Sequence, residues 1–535
     1  MKNTVMKKLS RLFAFLLTVI CLFSVSACNS GETPEMNPEQ ELEQETEQET
    51  EKTPVEETVL AEMIDNKDIE KVQTEQTFTI STSQADYGKI YPSFNVSDDM
   101  LLQRRKVNVI TGKTYTASHV AVKIGENVYY GEVENNDFRV YLPPMEASKN
   151  VTMEIFTDDA KLTVQNVAIG ELFLCSGQSN MAWPVSSSAS YYTELLQTAD
   201  YQDVRLLNMP KSEKDYAALT ADAVWKKATK GNVSSFSLFG LLYAISMQEQ
   251  LDIPVGIVNA SVGSTLLCYW LPRESVKMLE KTSGVYVNLE KEVFSPSLGF
   301  NGMISPLREM SFRGMVWYQG ESNAYKGNLY QGELSELIRA YRAFFDDEKF
   351  TFTIVGLPRY NTSMQDRWGA MRVTQRAVVD SVDYAVYTEN IDIGDSEDIH
   401  PRKKDIIASR AVAVTLDEFF YGKESKQSFA VSADKNSLSA VITVRGGGAL
   451  QVKNGVNGFE VSKDGVTWQA VADVTVENGK LVVTANSEFK YIRYAYKSDY
   501  EKDPLVASTA ETSVSKFVSV FNEYGLPLGQ FSFAF

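Results

Sequence analysis

Leu172-Phe173-Leu174-Cys175-Ser176-Gly177-Gln178-Ser179-Asn180-Met181 is the stretch on which the reading of this chain turns. A short apolar run of strand length leads into a glycine-containing turn that carries a serine. Val255-Gly256-Ile257-Val258-Asn259, Gly314-Met315-Val316-Trp317-Tyr318 and Phe352-Thr353-Ile354-Val355-Gly356-Leu357 have the same buried-strand character. Helix-like stretches lie between them. Ser235 to Gln250 carries one apolar face, and Leu329 to Phe345 places Leu334, Leu337, Ile338, Tyr341 and Phe345 at spacings of three and four. Strands alternating with helices predict an α/β domain over residues 166–427, a parallel sheet with helices on both faces. Ligands bind such sheets outside the carboxyl ends of the strands, and the first three functional turns considered below each follow an apolar run.

On either side the pattern is β. Residues 76–165 hold short strand-like runs at Val107–Ile110, Val120–Ile124, Asp137–Leu142 and Val151–Phe156, separated by Gly, Asn and Pro turns, which predicts a small N-terminal sandwich or jelly roll. Residues 428–535 hold similar runs at Ala440–Val444, Leu481–Thr484 and Tyr491–Tyr496, a second β-domain. No internal repeat is present.

The N-terminal end reads as an export leader over residues 1–28. Lys2, Lys7, Lys8 and Arg11 precede an apolar core, Leu12 to Ala27, of 16 residues, short for a membrane span. Val25-Ser26-Ala27-Cys28 resembles a bacterial lipobox, in which Cys28 is lipidated and tethers the exported chain to a membrane. Residues 29–75 form an acidic tether. Between Glu32 and Glu57 eleven Glu stand against one Lys, a composition that cannot bury a core and repels itself into extension. Residues 32–57 carry −10 and the leader's basic residues +4, so the rest of the chain holds −12 of the total −18. No basic cluster marks a nucleic-acid partner. Cys175 and Cys268 lie in apolar runs and are expected as buried thiols rather than a disulfide.

The chain has only two histidines, His119 and His400. A serine nucleophile needs a base beside it, usually an imidazole oriented by a carboxylate. His400 lies in Glu397-Asp398-Ile399-His400-Pro401, with two carboxylates close before it. His119 stands beside a strand of the β-domain and reads as structural. Two separated histidines argue against a zinc site, and no glycine loop is built to cradle phosphate, so no metal and no cofactor are expected.

Four segments taken together are specific: Gly177-Gln178-Ser179; Asn259-Ala260-Ser261-Val262-Gly263-Ser264-Thr265 with Trp270 after it; Trp317-Tyr318-Gln319-Gly320-Glu321-Ser322-Asn323; and Asp398-Ile399-His400-Pro401. Their order and spacing resemble the sialate O-acetylesterase-like branch of the SGNH hydrolases. Asp99–Arg104, Leu142-Pro143-Pro144, Phe300–Leu307, Arg493–Tyr496 and Phe521–Pro527 extend the resemblance over everything after the tether.

The resemblance implies a flavodoxin-like three-layer core that removes O-acetyl groups from sugars, with an acetylated carbohydrate as its partner. Sialate is the first substrate expected, and acetylated xylan or another plant polysaccharide the rival. A surface carbohydrate-binding lipoprotein with an inert hydrolase core would share the architecture, but the intact Ser179 and His400 argue against it. By position Ser179 is the nucleophile and His400 the base. The N–H groups of Ser179 and Gly263 begin an oxyanion hole, which an amide from Gln319 or Asn323 completes, Gln319 being favoured because it directly follows the strand. Asp398 is favoured to orient His400, since this branch commonly reads Asp-Ile-His; Glu397 is one alternative, because many members of the wider superfamily place an aspartate three residues before the histidine, and a backbone carbonyl is the other. Ser264 stands where this branch often has a second glycine. Gln178, Trp183, Asn301 and Glu321 are substrate-binding candidates. Trp183 and Trp317 suit either sugar stacking or core packing, and Glu321, though it could be catalytic, better suits a buried carboxylate holding the Gln178/Ser179 loop. The loops at 186–193 and 281–300 are expected to select the sugar. The oligomeric state is left open.

The lipobox reading predicts that Cys28→Ala moves the chain from the membrane to the soluble fraction of a bacterial host. Bacterial lipoproteins carry two or more acyl chains, enough for stable anchoring where one is marginal. Wild-type protein recovered mainly as soluble would contradict it.

Overall fold

The computed structural model describes residues 68–76, 78–80, 89–283, 295–363, 365–499 and 518–535. The expected leader with Cys28, nearly all of the tether, and residues 284–294 of one expected substrate loop lie outside these. No helix among the described residues is long and apolar enough to cross a membrane.

One strand organises the molecule. β1, Lys161–Gly177, is seventeen residues long and serves two environments. Its first half mixes exposed and buried positions and pairs antiparallel with Ser148–Thr157 in the N-terminal β region. Its second half is buried at every position, as expected of a central strand covered on both faces. There it lies parallel to β3 (Val255–Ser261) on one side and β4 (Gly314–Tyr318) on the other. β2 (Asp200–Asn208) flanks β3, and β5 (Thr351–Val355) and β6 (Ala385–Thr388) continue beyond β4. The parallel order is β2-β3-β1-β4-β5-β6, and without the outer β2 it is the doubly wound 2-1-3-4-5 order. The chain reverses its direction of winding between β1 and β4, so the crevice at a sheet of this kind opens outside Gly177 and Tyr318.

Helices cover both faces. Phe173 and Cys175 of β1 pack toward α2 (Leu238–Leu251) and α5 (Asp405–Phe419), while Leu172 and Leu174 face the core that includes α3 (Gly327–Phe344) and α4 (Gln365–Asp380). The period of two along β1 thus feeds two separate apolar layers. α2 is buried over more of its circumference than the single apolar face expected, because α5 packs beside it in the same apolar layer on the sheet. Its N-terminus is capped by the Ser237 hydroxyl, which accepts from Gly240 N–H at 2.9 Å. Cys175 and Cys268 are buried thiols. Trp317 is fully buried, donates to the Tyr330 hydroxyl at 3.3 Å and meets Trp270 edge to face. It therefore belongs to the core and is closed to sugar.

The flanking regions are β. Strands Asn108–Lys113, His119–Ile124, Asn127–Glu134 and Asp137–Leu142 join Ser148–Thr157 in one antiparallel array that runs into β1. At the other end, two four-stranded sheets enclose an apolar core containing Ile442, Phe459, Leu481, Ile492 and Tyr494. His119 lies on the exposed side of the first array, 2.8 Å from Asp158.

A buried ion cluster ties the N-terminal array to the core. The carboxylate of Glu171, wholly buried in β1, accepts from Gln103 Nε2 at 2.9 Å, Arg104 Nε at 2.5 Å and Arg313 Nε at 2.9 Å. Beside it Lys106 is buried against Asp347 and donates to Phe312 O at 2.7 Å. Burial alone would raise the Glu171 pKa, but the two guanidiniums hold it down at about 2, against a usual 4.5. Its charge therefore stabilises the fold fully above pH 4.5, and that contribution is lost as pH falls toward 2. Glu171→Gln leaves the buried Arg313 and the partly buried Arg104 without their anion and is expected to cost about 3–5 kcal/mol at neutral pH. The urea midpoint should fall accordingly, with the gap to wild type closing as pH drops below 4. An unchanged midpoint at pH 7 would refute this joint.

Candidate active site

Three of the four segments arrive at one place because the strands that carry them end in register. Gly177 pairs with Ser261 of β3 and with Tyr318 of β4. The chain must turn sharply there, and Gly177 adopts φ +139°, a region closed to most side chains. A Cβ on Gly177 would also lie 2.1 Å from the Tyr318 carbonyl oxygen. The glycine thus lets β1 end against β4 and presents Ser179 at the first position of α1 (Ser179–Ala182). Ser237, while capping α2, donates to Met181 O at 2.6 Å and fixes the far end of this turn.

The fourth segment follows β6 and brings His400 Nε2 to 2.8 Å from Ser179 Oγ. Asp398 Oδ1 stands 3.4 Å from His400 Nδ1 and accepts the His400 backbone N–H at 2.9 Å, so its side chain curls onto its own loop. Glu397 is exposed, and its N–H is held by Asp395 at 2.9 Å. A carboxylate can only accept, so the tautomer with the proton on Nδ1 leaves Nε2 to take the serine proton. Trp183 stacks on the imidazole, ring centroids 4.5 Å apart and planes 21° apart, and donates to Ser188 Oγ at 3.1 Å. The indole thereby walls one face of the base. The His400 pKa is lowered, first by burial and then by the nearby Lys404 charge, with Asp398 opposing both.

Gly263 lies directly against the serine, since a Cβ there would be 3.5 Å from Ser179 Cβ. The backbone N–H groups of Ser179 and Gly263 have no acceptor among the described residues. Ser264 adopts φ +64°, which accounts for the glycine often found at that position. The side-chain amides of the third segment are committed elsewhere. Gln319 Nε2 donates to Thr265 O at 3.1 Å and to Asn323 Oδ1 at 2.7 Å, and Asn323 Nδ2 donates to Glu333 at 2.9 Å. Gln319 would have to release a bond to serve an oxyanion, whereas the Asn323 amide uses one of its two N–H donors.

The substrate-binding candidates divide differently from the expectation. Gln178 is buried, and its Oε1 accepts from Ser322 N at 3.1 Å and Gly320 N at 3.4 Å, bracing the third segment. Asn301 is buried and donates to Lys214 O at 3.0 Å. Glu321 is buried and accepts from Asn180 Nδ2 at 2.6 Å, with its pKa raised by burial. These three hold loops together, and only Trp183 touches a reacting residue.

Sequence reasoning passed over two residues beside the pair. Asn180 Nδ2 also donates to Ile399 O at 3.0 Å, and its Oδ1 accepts from the fully buried Lys404 Nζ at 2.6 Å. Lys404 does carry a signal in the sequence. A lysine at the head of the apolar helical run 405–419, where a capping side chain is expected, departs from the local rule.

The site is thus a serine–histidine pair at the switch point of a doubly wound α/β sheet. Residues 169–405 match the family described as carbohydrate esterase, sialic acid-specific acetylesterase. The chain is 29% identical over 339 residues to a sialate O-acetylesterase from Mus musculus, covering 52% of this chain and 62% of that protein. It is 30% identical over 278 residues to the Homo sapiens sialate O-acetylesterase, covering 47% and 52%. The chain therefore spans less than two thirds of the length of these relatives. A crystal structure of a carbohydrate acetylesterase from Xanthomonas citri shares the fold, with a TM-score of 0.72 at 22% identity over 83% of this chain and 99% of the other.

Asp398→Asn is expected to lower turnover more than Glu397→Gln, because Asp398 is the carboxylate facing Nδ1. At 3.4 Å the loss should fall short of the roughly 10⁴ seen where this hydrogen bond is tight. Acetate release by both variants over a range of pH decides it, and a larger loss for Glu397→Gln would reverse the assignment.

Proposed function

We propose that the protein is a serine-dependent carbohydrate O-acetylesterase of the SGNH type, acting first on O-acetylated sialic acid and carried on an exported, lipid-anchored chain. The observation that carries the reaction is the 2.8 Å contact between Ser179 Oγ and His400 Nε2 at the carboxyl edge of the sheet. The relatives described as sialate O-acetylesterases support the substrate class.

In this reading His400 Nε2 takes the hydroxyl proton as Ser179 Oγ attacks the acetyl carbonyl. The tetrahedral oxyanion forms beside the unengaged N–H groups of Ser179 and Gly263, donors that are typically worth about 3–4 kcal/mol each in the transition state. Asp398 steadies the imidazolium by its charge. His400 then gives the proton to the sugar's ester oxygen as its bond to the acetyl carbon breaks, the sugar leaves with a free hydroxyl, and the acetyl group stays on Ser179. A water, deprotonated by the same imidazole, releases acetate and restores the serine. The wall made by Trp183 keeps the ring aligned through both half-reactions. Because burial and Lys404 favour the neutral imidazole, the acid limb of kcat/KM is expected below the 6.5 of an ordinary histidine.

Ser179→Ala and His400→Ala should each lower acetate release on the order of 10⁴–10⁶-fold, with little further loss when combined, while leaving the melting temperature near wild type. A tenth of wild-type turnover in Ser179→Ala would refute the mechanism. A panel of O-acetylated sialosides and acetylated xylo-oligosaccharides identifies the sugar. Preference for the xylo-oligosaccharides would overturn the sialate reading while keeping the esterase.

A further inference from the structure

Lys404 breaks three local rules at once. It is fully buried, it is charged, and it occupies the N-cap of the fifteen-residue helix α5 with no side-chain cap bond. Capping positions favour Ser, Thr, Asp or Asn, the helix dipole disfavours a cation there, and a buried ammonium is costly. In natural chains such violations concentrate at functional sites.

The surroundings show what offsets the cost. The ammonium donates to Asn180 Oδ1 at 2.6 Å and lies 5.6 Å from the Tyr318 ring centre. Glu321 and Asp398 face it with negative charge, and its own charge is felt by His400. On the α5 side the Tyr192 hydroxyl accepts the Lys404 backbone N–H at 3.0 Å and donates to Asp405 at 3.3 Å. Toward solvent, Arg402 stands 3.6 Å from Asp398. Burial draws the Lys404 pKa down to about 7, so the cation persists through the acid limb where His400 titrates.

The Asn180 amide has one orientation open to it. An ammonium only donates, so it requires Oδ1, and the Ile399 carbonyl only accepts, so it requires Nδ2. Asn180 adjoins the nucleophile and Ile399 adjoins the base. Resting on the esterase reading above, we propose that Lys404 is a positioning residue for that reaction: through Asn180 it locks the serine turn to the histidine loop. Lys404 itself touches neither the substrate nor the reacting atoms. Loss of the lock would let Oγ and Nε2 drift, and a misplacement of about 1 Å can cost on the order of 100-fold in rate.

The test is Lys404→Met, similar in length and without charge or donor. Wild-type acetate release from 4-nitrophenyl acetate is measured first, and its absence would overturn the esterase reading and this proposal with it. With wild type active, Lys404→Met is expected to lower kcat roughly 10- to 100-fold with little change in KM. It should also move the acid limb of kcat/KM to higher pH, because a cation that disfavours imidazolium has gone. A purely structural role would not produce that displacement. A folded Lys404→Met with wild-type kcat and an unmoved limb overturns the positioning role and leaves the esterase standing. Should Lys404→Met fail to fold, Asn180→Ala decides. It keeps the cation and removes the bridge, so kcat should fall while the acid limb stays low, and full activity overturns the proposal.

Discussion

The site depends on one close backbone approach. Gly177 ends β1 against the carbonyl of Tyr318, at a distance no side chain allows, and in the same register it ends beside Ser261. Three strand ends thereby deliver the serine turn, the Gly263 turn and the Gln319–Asn323 turn to a single edge. The reversal of winding between β1 and β4 leaves that edge open, as doubly wound sheets do at their switch point. Ser179 stands at the opening because the glycine two residues before it takes a conformation that turns the chain out of the sheet.

The fourth segment has no such strand register to place it, since the chain runs from Thr388 at the end of β6 to His400 as a loop. Side-chain bonds do the placing. Asn180 holds Ile399 and Lys404 from the serine side, and Glu321 receives the same amide from the third segment. From the other direction, Arg359 donates to Ser396 at 2.8 Å, and Ser396 bonds Asp499 next to the C-terminal β sheets. The histidine loop is thus held between the core and the region that follows it. The buried cluster around Glu171 plays the equivalent part at the opposite end of β1, joining the N-terminal array to the same sheet.

The layered α/β core was readable because its strands are short, apolar and bounded by glycine, and because residues 327–344 keep the helical period. The pair Ser179 and His400 was readable because two histidines leave little choice of base. What the sequence hid follows from what patterns omit. β2 and β6 were not singled out, since Asp200–Asn208 has neither a continuous apolar run nor a clean alternation and Ala385–Thr388 is only four residues. Gln178 and Asn301 are polar residues near a site, which reads as ligand binding, yet each is buried and engaged with a neighbouring loop, whereas Glu321 is the buried brace of the serine turn that its position suggested. Hydrogen bonds between segments more than 200 residues apart, such as Lys404 to Asn180, leave no periodic trace. Only the oddity of a lysine at a helix start marks that one.

The most direct measurement is covalent. The purified protein is treated with a phosphonofluoridate that reacts with activated serines, residual acetate release is followed, and the digested protein is mapped by mass spectrometry. The account predicts one phosphonyl group on the peptide bearing Ser179, rising in step with the loss of activity and absent from His400→Ala. Complete inactivation with Ser179 unlabelled, or label on Ser179 with activity intact, would contradict it.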